Sequence, residues 1–386
     1  MPTSTAIPFV RRPRMLALVA LLVALLVVPG IVVARAPAAL AQNSGTNRCP
    51  IPIPATKPQA NVTAAALPTP APASGKLLKV TMGYVPVSIF APVFVAKEKG
   101  YYAAQGLDVS LEPLAGGADM VTLTATGKFD VGIGGVGPAF WNAMQQGLPL
   151  KVIAPGHAEG NPVATPLMIS KAACESGKIT KISDLKGKKV AVNAPGATEY
   201  WLDQALRTGG LTINDIDLQT LAFPNAVAAL KSGAIAASMV GEPLATQAEQ
   251  EGIALRLATD FPVQDIQPTV IFANSNWLKA HPAAATGLVT AYLHACRDLT
   301  GAGYKNPTNL AIIQKYTGVP ASLVAQAVQP VYAVNGQINV AGLNKLQAFF
   351  RTRGQLTYKQ NLDPNTFIDD QYVKAALAKL GPYKGE

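Results

Sequence analysis

Cysteine and histidine are scarce in this chain: three of each in 386 residues. Cys49, Cys174 and Cys296 are too few and too far apart for a disulfide-stapled small scaffold. Their odd number leaves at least one thiol without an intramolecular partner, and a Cys174–Cys296 bridge is an option that the sequence neither requires nor forbids. His157, His281 and His294 show no metal-ligand spacing with each other or with any cysteine, so no metal and no catalytic residue is assigned. A Gly-x-Ser-x-Gly elbow and a P-loop are absent. The run Gly132–Gly137 (GIGGVG) has the wrong spacing for a dinucleotide loop and lacks the acidic residue that should follow, so no cofactor is expected. Heptads and fixed-period repeats are also missing, which excludes coiled coils and solenoids. Charged residues make up only 14% and aromatics 6%, against 49% hydrophobic residues; a packed body is expected rather than disorder.

The net charge of +10 is unevenly distributed. Arg11, Arg12, Arg14 and Arg35 fall within residues 1–41, which contain no acid. The later positives are mixed with acids, as in Lys97-Glu98-Lys99, so there is no basic, aromatic-rich stripe and no nucleic-acid partner is expected.

Arg11-Arg12-Pro13-Arg14 precedes an apolar run from Met15 to about Ala34, and Ala39-Leu40-Ala41 has the small-x-small form of a signal-peptidase site. Residues 1–41 therefore read as a signal peptide cleaved after Ala41, with retention as a membrane anchor the alternative. Either way the body is placed outside the cytoplasmic membrane. Cys49 lacks a preceding lipobox, so a lipoprotein is not expected. Residues 42–75 are rich in Pro, Ala and Thr and read as a spacer.

From Lys76 short apolar runs alternate with amphipathic stretches. Strands are expected at Leu77–Tyr84, Leu107–Leu114, Phe129–Gly134 and Leu150–Ala154, with helices at Phe90–Lys99, after Gly117 and from Pro138. A second series follows, with strands at Lys188–Val192, Ile216–Leu221 and Ala234–Val240. Its helices are expected to be capped by Thr198 and Asn225. Beyond Trp277 the pattern is helical, with Pro282, Pro307, Pro320 and Pro364 at helix starts. The expected fold class is α/β: parallel sheets covered by helices, in two lobes around a ligand cleft. Residues 76–168 and 269–386 would form lobe 1 and residues 169–268 lobe 2. Thr165–Ser170 and Thr269–Ala273 would be the hinge strands between them.

Ligands of such sheets sit beyond the carboxyl ends of the strands, where glycines let them approach helix N-termini. Four loops qualify: Val87–Pro92 with Ser88 and Phe90, Ala115–Asp119 with Gly116 and Gly117, Gly134–Pro138 with Gly135 and Val136, and Ala194–Tyr200 with Gly196, Thr198 and Tyr200. Glu242, between Gly241 and Pro243 at a strand end, is the expected partner for a ligand ammonium or ring amino group. Gln267, beside the second crossing, completes the candidate ligand-binding set.

Several ordered motifs carry a resemblance. Ala91–Tyr102 (APVFVAKEKGYY), Gln105–Val109, Gly116-Gly117, Gly127–Gly132 (GKFDVG), Asp184–Val190 (DLKGKKV), Ala229–Gly233 and Gly241-Glu242-Pro243 together resemble the nitrate/sulfonate/taurine group of ABC-transporter substrate-binding proteins, also called the NMT1/THI5-like family. The resemblance covers Lys76 to the C-terminus. It implies a type II periplasmic-binding fold, a small-molecule ligand held by hinge closure, and the permease and ATPase subunits of an importer as partners. The expected protein is an extracytoplasmic monomer that binds a sulfonate or taurine-like solute. A thiamine-pyrimidine precursor or other flat heterocycle on Phe90 or Tyr200, or nitrate, is the alternative ligand. Pyrimidine-forming enzymes of the family carry a clustered-cysteine motif that this chain lacks. Where the family often has Trp before the acidic-Pro pair, this chain has Gly241.

Overall fold

The computed structural model describes residues 49–51 and 75–384. The signal-like segment and nearly all of the spacer lie outside the described residues. No helix among the described residues is long and apolar enough to cross a membrane.

The elements run β1 (Leu78–Tyr84), α1 (Ala91–Glu98), α2 (Tyr101–Ala104), β2 (Leu107–Pro113), α3 (Gly117–Ala125), β3 (Val131–Gly135), α4 (Pro138–Gln145), β4 (Leu150–Pro155) and β5 (His157–Ala158). A second set follows: β6 (Leu167–Ser170), α5 (Lys171–Glu175), β7 (Lys189–Val192), α6 (Ala197–Arg207), β8 (Asp217–Thr220), α7 (Phe223–Ser232), β9 (Ala237–Met239), α8 (Leu244–Gln250) and β10 (Ala254–Ala258). The chain then returns through β11 (Thr269–Asn274), α9 (Ser275–Ala280), α10 (Pro282–Asp298), α11 (Pro307–Thr317), α12 (Ala321–Val324), β12 (Val331–Tyr332), α13 (Val340–Thr352) and α14 (Gln371–Leu380).

Two five-stranded sheets result, ordered β2-β1-β3-β11-β4 and β10-β6-β9-β7-β8, and β5 pairs with β12. Each sheet is the centre of one lobe. The sheets are mixed rather than purely parallel. β1, β2 and β3 are parallel, but β11 runs antiparallel to both β3 and β4. In the second lobe β6 runs antiparallel to β9 and β10. This follows from the connectivity, because a strand arriving from the other lobe need not enter in the direction set by a βαβ crossover. The strand at Leu167–Ser170, expected as a hinge crossing, lies wholly in the second sheet, and Thr269–Asn274 lies wholly in the first. The chain passes between the sheets through residues 159–166 and 259–268.

Central strands are buried on both faces and read as unbroken apolar runs; every residue of β11 (TVIFAN) is buried. Gly132 in β3 has to lack a side chain, since a Cβ there would lie 2.8 Å from Met120 Cγ and 2.9 Å from Phe272 Cε2. Prolines start α10 and α11 as expected, Pro320 immediately precedes α12, and Pro364 opens a short 3₁₀ turn. Asn225 is not a cap: α7 begins earlier, at Phe223, with Pro224 in its first turn. Thr198 is not one either, because Gly196 is the N-cap of α6 and the Thr198 hydroxyl bonds Asn193 Oδ1 at 2.8 Å.

The disulfide joins Cys49 to Cys174, fastening the first part of the spacer to α5 of the second lobe. The optional Cys174–Cys296 pairing is not formed, because α10 holds Cys296 against α1, α2 and α14 while α5 packs on β6 and β10. Burial pushes the Cys296 thiol up to about 12, although Tyr292 and Arg297 pull it the other way. The thiolate that reacts is therefore scarce as well as enclosed. Native protein should give no reaction with a chromogenic thiol reagent, whereas denatured, unreduced protein should give one thiol per chain. Three thiols on denaturation would show that the Cys49–Cys174 bridge does not form.

Candidate functional site

A cavity of about 90 Å³ lies between the two sheets. Its first-lobe wall comes from the loop after β1 (Val85, Val87, Ile89, Phe90), the start of α3 (Gly117, Ala118) and the β3–α4 junction (Gly135, Gly137, Ala139). Its second-lobe wall is the β7–α6 loop, Asn193 to Thr198, with Trp201, Phe223 and Gly241. His157, Glu159, Thr165 and Thr269, at or beside the two crossings, supply the remaining polar surface.

Helix starts dominate this lining. The N-caps of α3, α4 and α6 are Gly116, Gly137 and Gly196, and none has a side chain that could cap its helix. By contrast α9, α11 and α13, away from the cavity, are capped by the side chains of Asn274, Asn306 and Asn339, while α5, α8, α10, α12 and α14 also lack a side-chain cap. The first N–H groups of a helix have no intrahelical acceptor and carry partial positive charge. The starts of α3, α4 and α6 come together around this cavity. No Lys or Arg lines the cavity.

The glycines also let the lobes touch. A Cβ on Gly137 would lie 2.9 Å from Pro195 O and 3.0 Å from Gly196 Cα, and one on Gly116 would lie 3.1 Å from Ala194 Cβ.

Glu159 is the one carboxylate on the wall, and its side chain is fully buried. Trp201 Nε1 donates to Oε1 at 3.0 Å, the Ala164 N–H donates to Oε2, and His157 Nε2 lies 3.8 Å from Oε1. His157 is fixed from its other side by Thr269, whose Oγ1 lies 2.8 Å from Nδ1 and accepts the His157 backbone N–H at 2.9 Å. Burial alone would raise the Glu159 carboxyl, but hydrogen bonds and charge from His157, with Thr165 and Trp201, hold it below its ordinary value. Its charge is thus directed at protein donors rather than at the cavity.

Of the residues expected from sequence, Phe90, Gly117, Gly135, Gly196 and Thr198 line the cavity. Gly116 and Val136 sit just behind the wall; Gly116 faces Ala194 and the Val136 N–H donates to Pro268 O at 3.0 Å. Tyr200 points away, packing edge-on to Phe349 at 5.2 Å. Gln267 is used by the C-terminal region: it accepts from Asn339 N at 3.1 Å and donates to Gln337 O at 3.1 Å. Glu242 is fully buried, but its partner is Arg256, whose Nη2 lies 2.8 Å from Oε1, and its carboxylate also accepts from the Thr246 N–H and hydroxyl and from Val328 N. Ser88 donates from Oγ to the Glu242 carbonyl at 2.9 Å, so the two residues meet each other rather than a ligand. His157, Glu159, Thr165, Asn193, Trp201 and Thr269 went unassigned. The signal for two of them was a His-x-Glu pair just past a strand's carboxyl end, a place where polar side chains face the cleft. Among the described residues no cluster suits a metal ion.

Two outcomes follow. Gly137→Ala should hold the lobes apart, increasing the radius of gyration in small-angle scattering while sparing the melting temperature; unchanged scattering would mean the Gly137–Gly196 contact does not limit approach. Glu159 favours its ionised form in the folded state, so its contribution is present at neutral pH and is lost as pH falls through its lowered value. Asp184 and Asp215, held low by the backbone N–H groups of Thr180 and Thr212, act in the same direction. The difference between wild type and Glu159→Gln therefore isolates Glu159: the variant should melt lower at pH 7 and lose less on acidification to pH 3. Parallel curves would contradict this.

Comparison with known proteins places the chain. The bicarbonate transport ATP-binding protein CmpC of Synechocystis sp. is 30% identical over 241 residues, 57% of this chain and 35% of that protein. The bicarbonate-binding protein CmpA of Synechococcus elongatus is 25% identical over 329 residues, 75% of this chain and 70% of CmpA. The chain thus spans about a third of CmpC's length. Among solved structures, the periplasmic nitrate-binding protein NrtA from Synechocystis PCC 6803 matches with a TM-score of 0.67 and 18% identity, over 79% of this chain and 89% of NrtA. The alkanesulfonate-binding protein SsuA from Xanthomonas axonopodis pv. citri, bound to MOPS, matches with a TM-score of 0.63 and 16% identity, over 77% of this chain and all of SsuA. These two share the fold described above. Residues 73–314, well over half of the chain, match the NMT1-like family, and the chain belongs to that family.

Proposed function

We propose that this chain is the extracytoplasmic solute-binding component of an ATP-driven importer, and that it captures a small organic oxyanion, a sulfonate foremost, between its lobes. The observation that carries the reading is the convergence of the uncapped starts of α3, α4 and α6 on one cavity that no Lys or Arg lines. Backbone N–H groups at helix starts bind an anion without a fixed countercharge. Val85, Val87, Ile89, Phe90, Val121, Phe140 and Phe223 make the rest of the wall largely apolar, which suits a short carbon body better than a bare inorganic ion. A taurine-like ammonium has less to meet than the sequence suggested, since Glu242 is paired with Arg256 and Glu159 is taken up by Trp201, His157 and Ala164.

A binding role fits better than catalysis. The polar groups at hand are engaged with one another: Thr198 with Asn193, and His157 with Thr269 and Glu159. The likeness to CmpC and CmpA supports the partnership with an ATP-hydrolysing subunit and with it a place outside the cytoplasmic membrane.

The small cavity volume favours a second reading, a bare nitrate or bicarbonate ion held by the same N–H groups. Thermal shift with the full chain separates the two, because a ligand that binds only the folded state raises the melting temperature with the logarithm of its excess over Kd. Ethanesulfonate should give the largest shift, exceeding taurine, with nitrate and bicarbonate behind. A larger shift from nitrate or bicarbonate would select the inorganic reading. A shift from aminopyrimidines alone, or from none of the panel, would overturn the oxyanion site.

A further inference from the structure

Two buried glutamates of the second lobe bridge the cleft, Glu242 mainly through its carbonyl and Glu199 through its carboxylate, and we propose that they are latches: positioning residues that set how long the cleft stays shut and hence how slowly solute leaves. The inference rests on the cavity above being the ligand site. On one side is Glu242, directly after the lining residue Gly241. Its carbonyl accepts from Ser88 N at 3.0 Å and Ser88 Oγ at 2.9 Å, and its Oε1 accepts from Val328 N at 3.2 Å. Ser88 immediately precedes Ile89 and Phe90 of the first-lobe wall, and its own carbonyl is held by the Tyr332 hydroxyl at 2.8 Å.

The other side is closed through Glu199, in the first turn of α6, directly after the lining residues Gly196 to Thr198. Arg353 Nε donates to its Oε2 at 3.1 Å and Gln355 Nε2 donates to the same oxygen at 3.0 Å. The segment carrying these two residues is bonded in turn to the first lobe: Asn142 on α4 donates to Gln355 O at 3.1 Å and accepts from Thr357 N at 2.9 Å. α4 is the helix whose start, Gly137 to Ala139, faces the cavity. The strap after α13 therefore links two helices that both present their N-termini to the same space. Bringing those N-termini together and making these hydrogen bonds are one movement.

The latches differ in kind. If the lobes part, Glu242 keeps Arg256 and Thr246, which belong to its own lobe, and loses only hydrogen bonds from the first lobe. The partners of Glu199 lie on the strap, which Asn142 holds to the first lobe while Arg353 also donates to Asn214 of the second at 3.3 Å, so parting there breaks either the ion pair of the buried Glu199 carboxylate or both Asn142 bonds. The Glu199 side is thus the stronger latch.

The test uses full-length protein with spin labels at Gln146→Cys and Lys231→Cys, one exposed position on each lobe. The native thiols are in the disulfide or buried. Pulsed dipolar distances are recorded without ligand and with ethanesulfonate as probe. Arg353→Ala should lengthen and broaden the ligand-free distance, and Ser88→Ala should do so less. Gln355→Ala, which leaves the ion pair in place, serves if Arg353→Ala does not fold. In stopped-flow, the ethanesulfonate off-rate should rise about tenfold for Arg353→Ala, as expected for loss of a charge-assisted bond, with the on-rate nearly unchanged. Unchanged ligand-free distances in both Arg353→Ala and Gln355→Ala, or an affinity loss carried by the on-rate, would overturn the latches. If ethanesulfonate fails to bind the wild type, the ligand reading falls, and the ligand-free distances still decide on the latches.

Discussion

Helices α3, α4 and α6 each begin after a glycine, and most of the site depends on that. A helix needs acceptors for its first N–H groups, and the cheapest acceptor is its own N-cap side chain. At α9, α11 and α13 this chain uses that solution, with Asn274, Asn306 and Asn339. At the cavity it does not, and the missing side chains have two consequences at once. They leave the first N–H groups beside the cavity without a side-chain acceptor, and they remove the bulk that would keep Gly137 away from Pro195 and Gly196. Donor exposure and close approach of the lobes are therefore the same design feature. A capping Ser or Asn at position 137 would satisfy the helix and obstruct the approach together.

The placement of charge follows from the same choice. A lysine or arginine in the cavity would bind an oxyanion more strongly, but it would have to be desolvated with or without its ligand. Helix dipoles supply positive potential that is already organised and carries no full charge to bury. The buried acids near the site, Glu159, Glu199 and Glu242, would oppose an anion if left bare. Each is instead surrounded by protein donors: Trp201 and His157, Arg353 and Gln355, Arg256 and Thr246. Their negative charge is converted into orientation of neighbouring segments.

Much of the fold was legible because its punctuation is chemical. Prolines mark the starts of α10 and α11, glycines mark helix ends such as Gly100 and Gly233, and apolar runs mark the central strands. What failed were readings that needed a partner distant in sequence. Glu242 stood out correctly as a buried strand-end acid, but nothing local announces that Arg256 will meet it across α8. Tyr200 occupies the expected loop–helix junction, yet helical rotation turns it to Phe349 on α13, 149 positions later in the numbering. Thr269–Ala273 read as a crossing because its membership of the first sheet is settled by pairing with β3 and β4, not by its composition. His157 was weighed only as a metal ligand, a test it fails, so its adjacency to Glu159 passed unused.

The position of that missed pair divides the work of recognition. His157, Glu159, Thr165 and Thr269 sit at or beside the two segments that join the lobes, where a hinge rotation displaces atoms least. The start of α4 is tied to the second crossing by the Val136 N–H···Pro268 O bond, whereas the start of α6 belongs to the other lobe and moves relative to it. On the proposed reading a solute meets a polar floor that Thr269 ties to the first lobe and Trp201 to α6 of the second. The N–H donors reach it from the walls only as the lobes approach. Under this division the floor sets which solute shapes can settle, and the walls set how long one stays. Substitutions at the floor should then act on selectivity, and substitutions at the walls on residence, which is the separation expected when one contact set is preorganised and the other is made by closure.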